Sequence, residues 1–186
     1  MSGNHIGSSE SHRQPAELTI RRLQAHEWPA YRLLRLRSLA DAPHAFGSSL
    51  AAEEAWRPEL WMARLNAASE SGRDCPLVAD ADGSLSGLVW AKCDAEQAGV
   101  VNLFQMWVAP EVRGQGVAAA LLRDAIGWAR SIGAHRVRLG VVEGNDAAAR
   151  LYARAGFRDA GPPEPLRPGL TTLEQTMQLE LGAGPA

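Results

Sequence analysis

The chain has 186 residues, 19 of them basic and 21 acidic, which gives a net charge of −2 at pH 7. This length fits one domain with a substantial core. The balanced charge, with no concentrated basic stripe, argues against nucleic acid as a partner. No run approaches the ~18 apolar residues that a membrane span requires, so the sequence predicts no membrane partner.

The two cysteines, Cys75 and Cys93, have neither metal-ligand spacing nor the density of a disulfide framework. The sequence therefore predicts no metal site. Residues 1–16 are rich in Ser, Gly and His and lack the apolar segment of a secretory signal. We expect a flexible leader over 1–16, a single domain over 17–183, and a cytoplasmic protein.

The first half of the domain reads as a strand, three helices and an antiparallel meander. Asp82-Gly83 is a strong hairpin signal, and Ser48 or Ser49 is suited to cap the second helix. The predicted helices run from Trp28 to Leu39, from the serine cap past Glu54, and from Pro58 to about Ala67. The predicted strands are Leu18–Leu23, Pro76–Ala81, Leu85–Cys93 and Val100–Val108.

The second half alternates helices and strands. Apolar residues recur at helical spacing from Val117 to Ile132. A strand, Arg136–Val142, follows, and then a helix that Asn145 or Asp146 caps and that stops at Gly156. An extended piece starts at Phe157, Gly161–Gly169 forms a loop, and Leu173–Leu181 is the last strand. The whole order predicts a mixed α+β fold around one sheet.

The segment between the fourth strand and the long helix carries the most chemical information. After Val108 a proline-led loop leads to Gly114, Gln115, Gly116, Val117 and Ala118 at the helix start. Glycines and small residues leave successive backbone N–H groups uncovered at the positive end of a helix. This arrangement favours a bound pyrophosphate.

Other phosphate-binding folds are alternatives for this loop. Gly114, Gly116 and Ala119, with Glu143 about 20 residues on, are compatible with a dinucleotide-dependent oxidoreductase. In that fold, however, the first glycine follows the strand almost at once, whereas Ala109–Arg113 intervene here. A P-loop does not fit, because no Lys-Ser or Lys-Thr follows the glycines.

A second constellation narrows the choice. Asn145 and Tyr152 are seven residues apart, which is two helical turns, so they project to the same side. Together with Arg113, Gly116 and Ala118, these residues resemble the GNAT acetyltransferase superfamily. The cofactor motif of that family is Gln or Arg, two free positions, Gly, one free position, and Gly or Ala. The next family segment is an Asn-led helix that carries Tyr and ends in Gly-Phe, here Asn145, Tyr152, Gly156 and Phe157, and the likeness spans about Leu77–Arg158.

The resemblance implies a GNAT-like, mostly antiparallel sheet of about seven strands flanked by about four helices, with splayed fourth and fifth strands. It also implies acetyl-CoA as co-substrate and direct attack by an amine. The backbone from Arg113 to Ala118 would hold the pyrophosphate, and the main chain at Met106 and Val108 would meet the pantetheine arm. Asn145 would bind that arm from the opposite side. Tyr152 is the candidate general acid for the leaving thiolate.

The general base is less constrained. An amine arrives protonated, and Glu53, Glu54, Glu143 and His44 are the candidates for accepting its proton. The acceptor would be a small-molecule amine or a peptide N-terminus, and members of this family often form homodimers. A non-catalytic acyl-CoA-binding domain is the alternative function, although Tyr152 favours an enzyme.

Overall fold

The computed structural model describes residues 18–182, so the predicted leader 1–16 lies outside the described residues. Five α-helices are present in that part of the chain: α1 (Trp28–Asp41), α2 (Leu50–Glu54), α3 (Pro58–Ser71), α4 (Val117–Ser131) and α5 (Asp146–Arg154). The strands there are β1 (Thr19–Arg22), β2 (Asp74–Ala81), β3 (Ser84–Cys93), β4 (Val100–Val108), β5 (Arg136–Val142), β6 (Arg158–Asp159), β7 (Glu164–Pro165) and β8 (Leu173–Glu180).

One mixed sheet organises these elements. The strand order is β1-β2-β3-β4-β5-β8-β6, and β7 pairs with β8. Every neighbouring pair is antiparallel except β4 and β5, which are parallel. A parallel pair needs a crossover connection, and α4 supplies it. The predicted mixed, mostly antiparallel fold is confirmed.

Strands β4 and β5 separate partway along their length. They pair only from Val100 opposite Arg136 to Leu103 opposite Leu139. Beyond that point β4 continues against β3, while β5 continues against β8. The predicted splay of the fourth and fifth strands is therefore present, and it leaves a gap in the sheet.

A β-bulge in β4 adjoins this gap. Trp107 lies opposite Leu88 and Phe104 lies opposite Trp90, so β4 has one residue more than β3 in this interval. Gln105, inside the bulge, has a positive φ of 58°, which is uncommon for a residue with a side chain. The bulge changes the direction of the β4 backbone where the strands part.

The sheet is covered on both faces by apolar layers. On one face, α4 packs on β2, β3 and β4, and its core includes Leu121, Ala125 and Val137. On the other face, α1 and α3 pack on β2, β3 and β4 around Tyr31, Trp61 and Trp90. Within residues 18–182, no helix is both long and apolar enough to cross a bilayer.

Local signals in the sequence explain most element boundaries. The Ser49 hydroxyl caps α2 by accepting a hydrogen bond from the Ala52 N–H at 3.3 Å. Asp82 and Gly83 both have positive φ, as a two-residue hairpin turn requires. Helix α3 runs to Ser71, beyond the predicted Ala67, and ends at Gly72 in the left-handed conformation.

The prediction that Gly161–Gly169 is only a loop is wrong in part. Two of its residues, Glu164 and Pro165, pair with Glu174 and Leu173 as β7. Proline is tolerated there because it lies on an edge strand. Strand β7 brings the number of strands within residues 18–182 to eight, against the about seven that the resemblance implied, and the five helices there compare with about four.

A buried ion pair joins the first two helices. The Arg35 guanidinium on α1 contacts the Glu53 carboxylate on α2 through both ends, with Nη2 to Oε1 at 2.7 Å and Nε to Oε2 at 3.0 Å. The side chains are only 4% and 2% exposed. The same guanidinium lies 4.7 Å from the centre of the Phe46 ring, so the pair also holds the loop between the helices.

We predict that Glu53→Gln lowers the free energy of unfolding by about 3 kcal/mol, because it leaves the buried Arg35 charge without a counter-charge. Chemical denaturation measures this value. The neighbouring exposed carboxylate supplies the control: Glu54→Gln is expected to change stability by less than about 0.5 kcal/mol. Equal effects of the two substitutions would contradict a structural role for the Arg35–Glu53 pair.

Candidate active site

A cavity of about 1310 Å³ starts at the glycine loop, follows the gap between β4 and β5, and reaches β8. It exceeds the roughly 300–1,000 Å³ of ordinary ligand pockets, so it has room for an elongated ligand and a second one. The predicted cofactor-binding residues that line it are Met106, Val108, Arg113, Gly114, Gly116, Val117, Ala118 and Asn145. Tyr152, Asn102 and Gln105 line it as well.

The glycine loop presents backbone donors to this cavity. Gly114 and Gly116 have φ values of 77° and 84°, a conformation that costs other residues roughly 1–2 kcal/mol. Gly116 is the N-cap of α4, and no side chain caps the helix. The first-turn N–H groups of α4 therefore remain available for an anion at the positive end of the helix dipole.

The Arg113 side chain anchors the glycine loop to neighbouring elements. Its Nε donates to the Val108 carbonyl at 3.0 Å, and its guanidinium pairs with Asp41 at the end of α1. The Trp107 indole N–H also donates to the Asp41 carboxylate, at 2.8 Å, and these contacts hold the pKa of Asp41 below its usual range. Arg113 thus ties the loop to β4 and α1.

Gln115 differs from the other predicted loop residues. Its side chain does not line the cavity, and its Nε2 donates to the Glu111 carbonyl at 3.2 Å. Gln115, at one of the free positions of the motif, is therefore a surface residue that stabilises the loop.

Asn145 lies across the cavity from β4. Its Oδ1 caps α5 by accepting a hydrogen bond from the Ala148 N–H at 3.2 Å. The capping contact uses the carbonyl side of the amide and leaves the two N–H donors of Nδ2 for another partner.

Tyr152 lies on the same helix and is 5% exposed. Its ring packs against Phe157, with centroids 6.0 Å apart. Burial raises the pKa of Tyr152 to about 12, so the phenol keeps its proton at physiological pH. It is a protonated donor inside an otherwise largely apolar wall.

None of the four predicted base candidates lines the cavity. Glu53 is held by Arg35 in the buried pair, while Glu54, Glu143 and His44 are exposed. A titratable residue that the sequence analysis did not single out does line it: Glu174, on β8, where burial raises the pKa of the carboxyl. The alternation of polar Glu174, Thr176 and Gln178 along the last strand was the available signal.

The described residues were also compared with the ligand sets that metal ions require. Among residues 18–182, no group of three or more His, Cys, Asp and Glu side chains is placed to hold a metal ion. Cys75 is buried, Cys93 is half-buried, and both are free thiols.

Comparisons with known proteins agree with this geometry. The family model described as "Acetyltransferase (GNAT) family" matches residues 23–157. A mycothiol acetyltransferase of Clavibacter sepedonicus is 39% identical over 84 residues, which cover 45% of this chain and 27% of that protein. The chain thus spans about a quarter of the length of that curated relative.

Solved structures resemble the whole fold. An acetyltransferase of the GNAT family from Streptococcus pneumoniae has a TM-score of 0.75 and 25% identity, covering 89% of this chain and 100% of that one. An acetyltransferase from Salmonella typhimurium, determined with acetyl-CoA, has a TM-score of 0.75 and 21% identity, covering 92% and 98%. The second likeness concerns the fold alone.

These findings decide between the families considered for the glycine loop. A dinucleotide fold is built on a mostly parallel sheet, whereas β4 and β5 are the single parallel pair among the strands of residues 18–182. The oxidoreductase alternative is therefore wrong. The chain belongs to the acetyltransferase (GNAT) family.

Proposed function

We propose that this protein is an N-acetyltransferase that transfers the acetyl group of acetyl-CoA to a primary amine by direct attack. One observation carries the proposal: a continuous cavity joins the open N-terminus of α4 to Tyr152 and to the β4–β5 gap. An anion site, a proton donor and a passage through the sheet are the parts that this reaction needs.

The cofactor side is supported by backbone groups more than by side chains. The loop from Gly114 to Ala118 would hold the pyrophosphate through N–H groups. Beyond Leu103, the edge of β4 that faces β5 has no strand partner, so the main chain at Met106 and Val108 is free to pair with the amides of the pantetheine arm. Asn145 Nδ2 would donate to that arm from α5.

The carbonyl oxygen of the thioester gains negative charge during attack and needs a donor. The bulge at Gln105 adjoins the gap and Met106 lines the cavity, and the Met106 N–H is the candidate for that donor. A backbone donor suits this role because its orientation is fixed before the reaction begins.

Tyr152 is the proposed proton donor to the departing sulfur. Its pKa of about 12 keeps it protonated, whereas a free thiol has a pKa of about 8.5. The phenol is thus the weaker acid by about 3.5 pKa units, so full proton transfer to a solvated thiolate is unfavourable. Burial also raises the pKa of the thiol, which narrows this difference and favours transfer as the C–S bond breaks.

The acceptor would enter from the face of the sheet opposite α4. Two loops border that entrance, with Phe46 from one and Leu166 from the other. The loops contact each other, since Arg167 Nη1 donates to the Gly47 carbonyl at 3.1 Å. A small-molecule amine and a peptide N-terminus are both proposed acceptors, and a homodimer in the cytoplasm remains a prediction of the sequence.

We predict that Tyr152→Phe lowers kcat at least tenfold while the acetyl-CoA Kd stays within about threefold, because only the proton donor is removed. Thiol release with a panel of amines measures kcat, and calorimetry measures Kd. Because the phenol stays protonated, the loss is expected to be uniform from pH about 6 to about 10.

Two results would count against this role. Unchanged kcat in Tyr152→Phe would remove Tyr152 as the acid. Tight acetyl-CoA binding by the wild type without acetylation of any amine class would favour the non-catalytic acyl-CoA-binding alternative.

We predict that Gly116→Ala raises the acetyl-CoA Kd roughly five- to thirtyfold, because alanine resists the left-handed φ that aims the loop N–H groups. No atom lies within 4 Å of the added Cβ, so the effect is on the backbone rather than on packing.

Gly127→Ala is the matched control in the same helix, at a position that is also free of neighbours within 4 Å and lacks a positive φ. It is expected to leave Kd unchanged and to raise the free energy of unfolding by about 0.5–1 kcal/mol. Wild-type affinity and stability in Gly116→Ala would contradict the proposed cradle.

A further inference from the structure

The sheet has a polar strip on the face opposite α4. Val137, Leu139 and Val141 of β5 point into the α4 core, so Arg138, Gly140 and Val142 occupy the other face. Their partners on β8 are Gln178, Thr176 and Glu174, which share that face. The part of this strip formed by Gly140, Val142, Thr176 and Glu174 lies beyond the last β4–β5 pair at Leu103 and Leu139, where the sheet opens.

The Glu174 carboxylate lies over Gly140 of β5, where the lack of a side chain leaves room for it. A Cβ built on Gly140 would lie 2.1 Å from Glu174 Oε1 and 2.6 Å from Oε2. The carboxylate therefore occupies the space that any side chain at position 140 would need. Gly140 does not have a positive φ, so its role is to make room for Glu174.

Glu174 also differs from the other carboxylate that lines the cavity. Asp41 is engaged by Trp107 and Arg113, as described above. Glu174 makes no hydrogen bond or ion pair through its carboxylate with any residue in 18–182, and its burial favours the neutral form. It is a carboxylate in the reaction cavity whose proton affinity is raised and whose oxygens are free.

The charged groups around Glu174 do not pair with its carboxylate. Arg138 shares its face on β5, Glu164 lies opposite it on β7, Arg167 belongs to the neighbouring loop, and Arg154 lines the cavity from α5. Of these, Arg167 is bonded to the Gly47 carbonyl. Within the described part of the chain, none of the three arginines is within ion-pair distance of Glu174, and Glu164 carries the same charge.

We propose that Glu174 is the general base that takes the proton from the ammonium group of the acceptor. This inference rests on the proposed acetyl transfer. Glu174 lines the same cavity as Tyr152 and approaches it from the opposite face of the sheet, the side on which the acceptor would enter.

The two residues would divide the proton transfers. The ammonium R–NH₃⁺ gives one proton to the Glu174 carboxylate, and the free amine forms a C–N bond with the thioester carbonyl carbon. The C–S bond then breaks, and the sulfur takes the Tyr152 proton. The second proton lost by nitrogen restores Tyr152, and Glu174 releases its proton to solvent, so one proton leaves per amide formed.

The test compares pH profiles of kcat/KM for the wild type and for Glu174→Gln with one acetylated amine. Near pH 7 the substitution is expected to lower kcat/KM about a hundredfold. The loss should shrink toward pH 10, because an alkylamine with a pKa of about 10.4 is then partly deprotonated by solvent. A structural role would give the same loss at every pH.

Two further variants separate the carboxylate from its position. Gly140→Ala keeps Glu174 but displaces its carboxylate, and we expect at least a tenfold loss near pH 7 that also shrinks at high pH. Glu180→Gln removes an exposed carboxylate from the same strand, outside the cavity lining, and should keep the wild-type profile. Thermal unfolding checks that each variant is folded.

The outcomes are distinguishable from those for the proposed function. Amine acetylation by the wild type with an unchanged pH profile in Glu174→Gln and Gly140→Ala would overturn the role of Glu174 alone. Acetyl-CoA binding without acetylation of any amine by the wild type would overturn both proposals. A pH-independent loss in Glu174→Gln would assign the residue to structure and overturn its role as a base.

Discussion

The separation of β4 from β5 is the constraint on which the rest of the structure depends. Four residue pairs hold the strands together, and past Leu103 and Leu139 each follows a different neighbour. Backbone N–H and C=O groups along the open edge of β4 are left without a strand partner, and such groups are costly when buried unpaired. These groups are available to water or to a ligand with amides of its own, which makes the gap suited to a binding site.

Other features of the fold hold this gap open. Helix α4 crosses from β4 to β5, is anchored in the core by residues such as Leu121 and Ala125, and places its uncapped N-terminus beside the gap. On the opposite face, the buried Arg35–Glu53 pair fixes α1 against α2 and supports Phe46 at the cavity wall. Glu53, which the sequence offered as a candidate general base, therefore has a structural role beside the site.

The local geometry of the proposed cofactor half of the site was predictable because its signals are local. Positive φ at Gly114 and Gly116, the helix cap at Asn145 and the two-turn spacing to Tyr152 depend on residues close together in the chain. Backbone groups would carry most of the proposed recognition, and the pattern of small residues is the signal for such a loop. The turn at Asp82-Gly83 and the Ser49 cap were predictable for the same reason.

The sequence by itself predicted most of the helices and strands, the conformation of the glycine loop and the family, because each follows from short-range periodicity, turn chemistry and motif spacing. Only the tertiary structure decided which carboxylates line the cavity. Glu53 and Arg35 are 18 residues apart and form a buried pair, whereas Glu174 reaches the cavity because β8 inserts next to β5 and Gly140 leaves room for it. The ionisation and reach of a carboxylate depend on partners brought together by the sheet, and no local pattern in the chain specifies those partners.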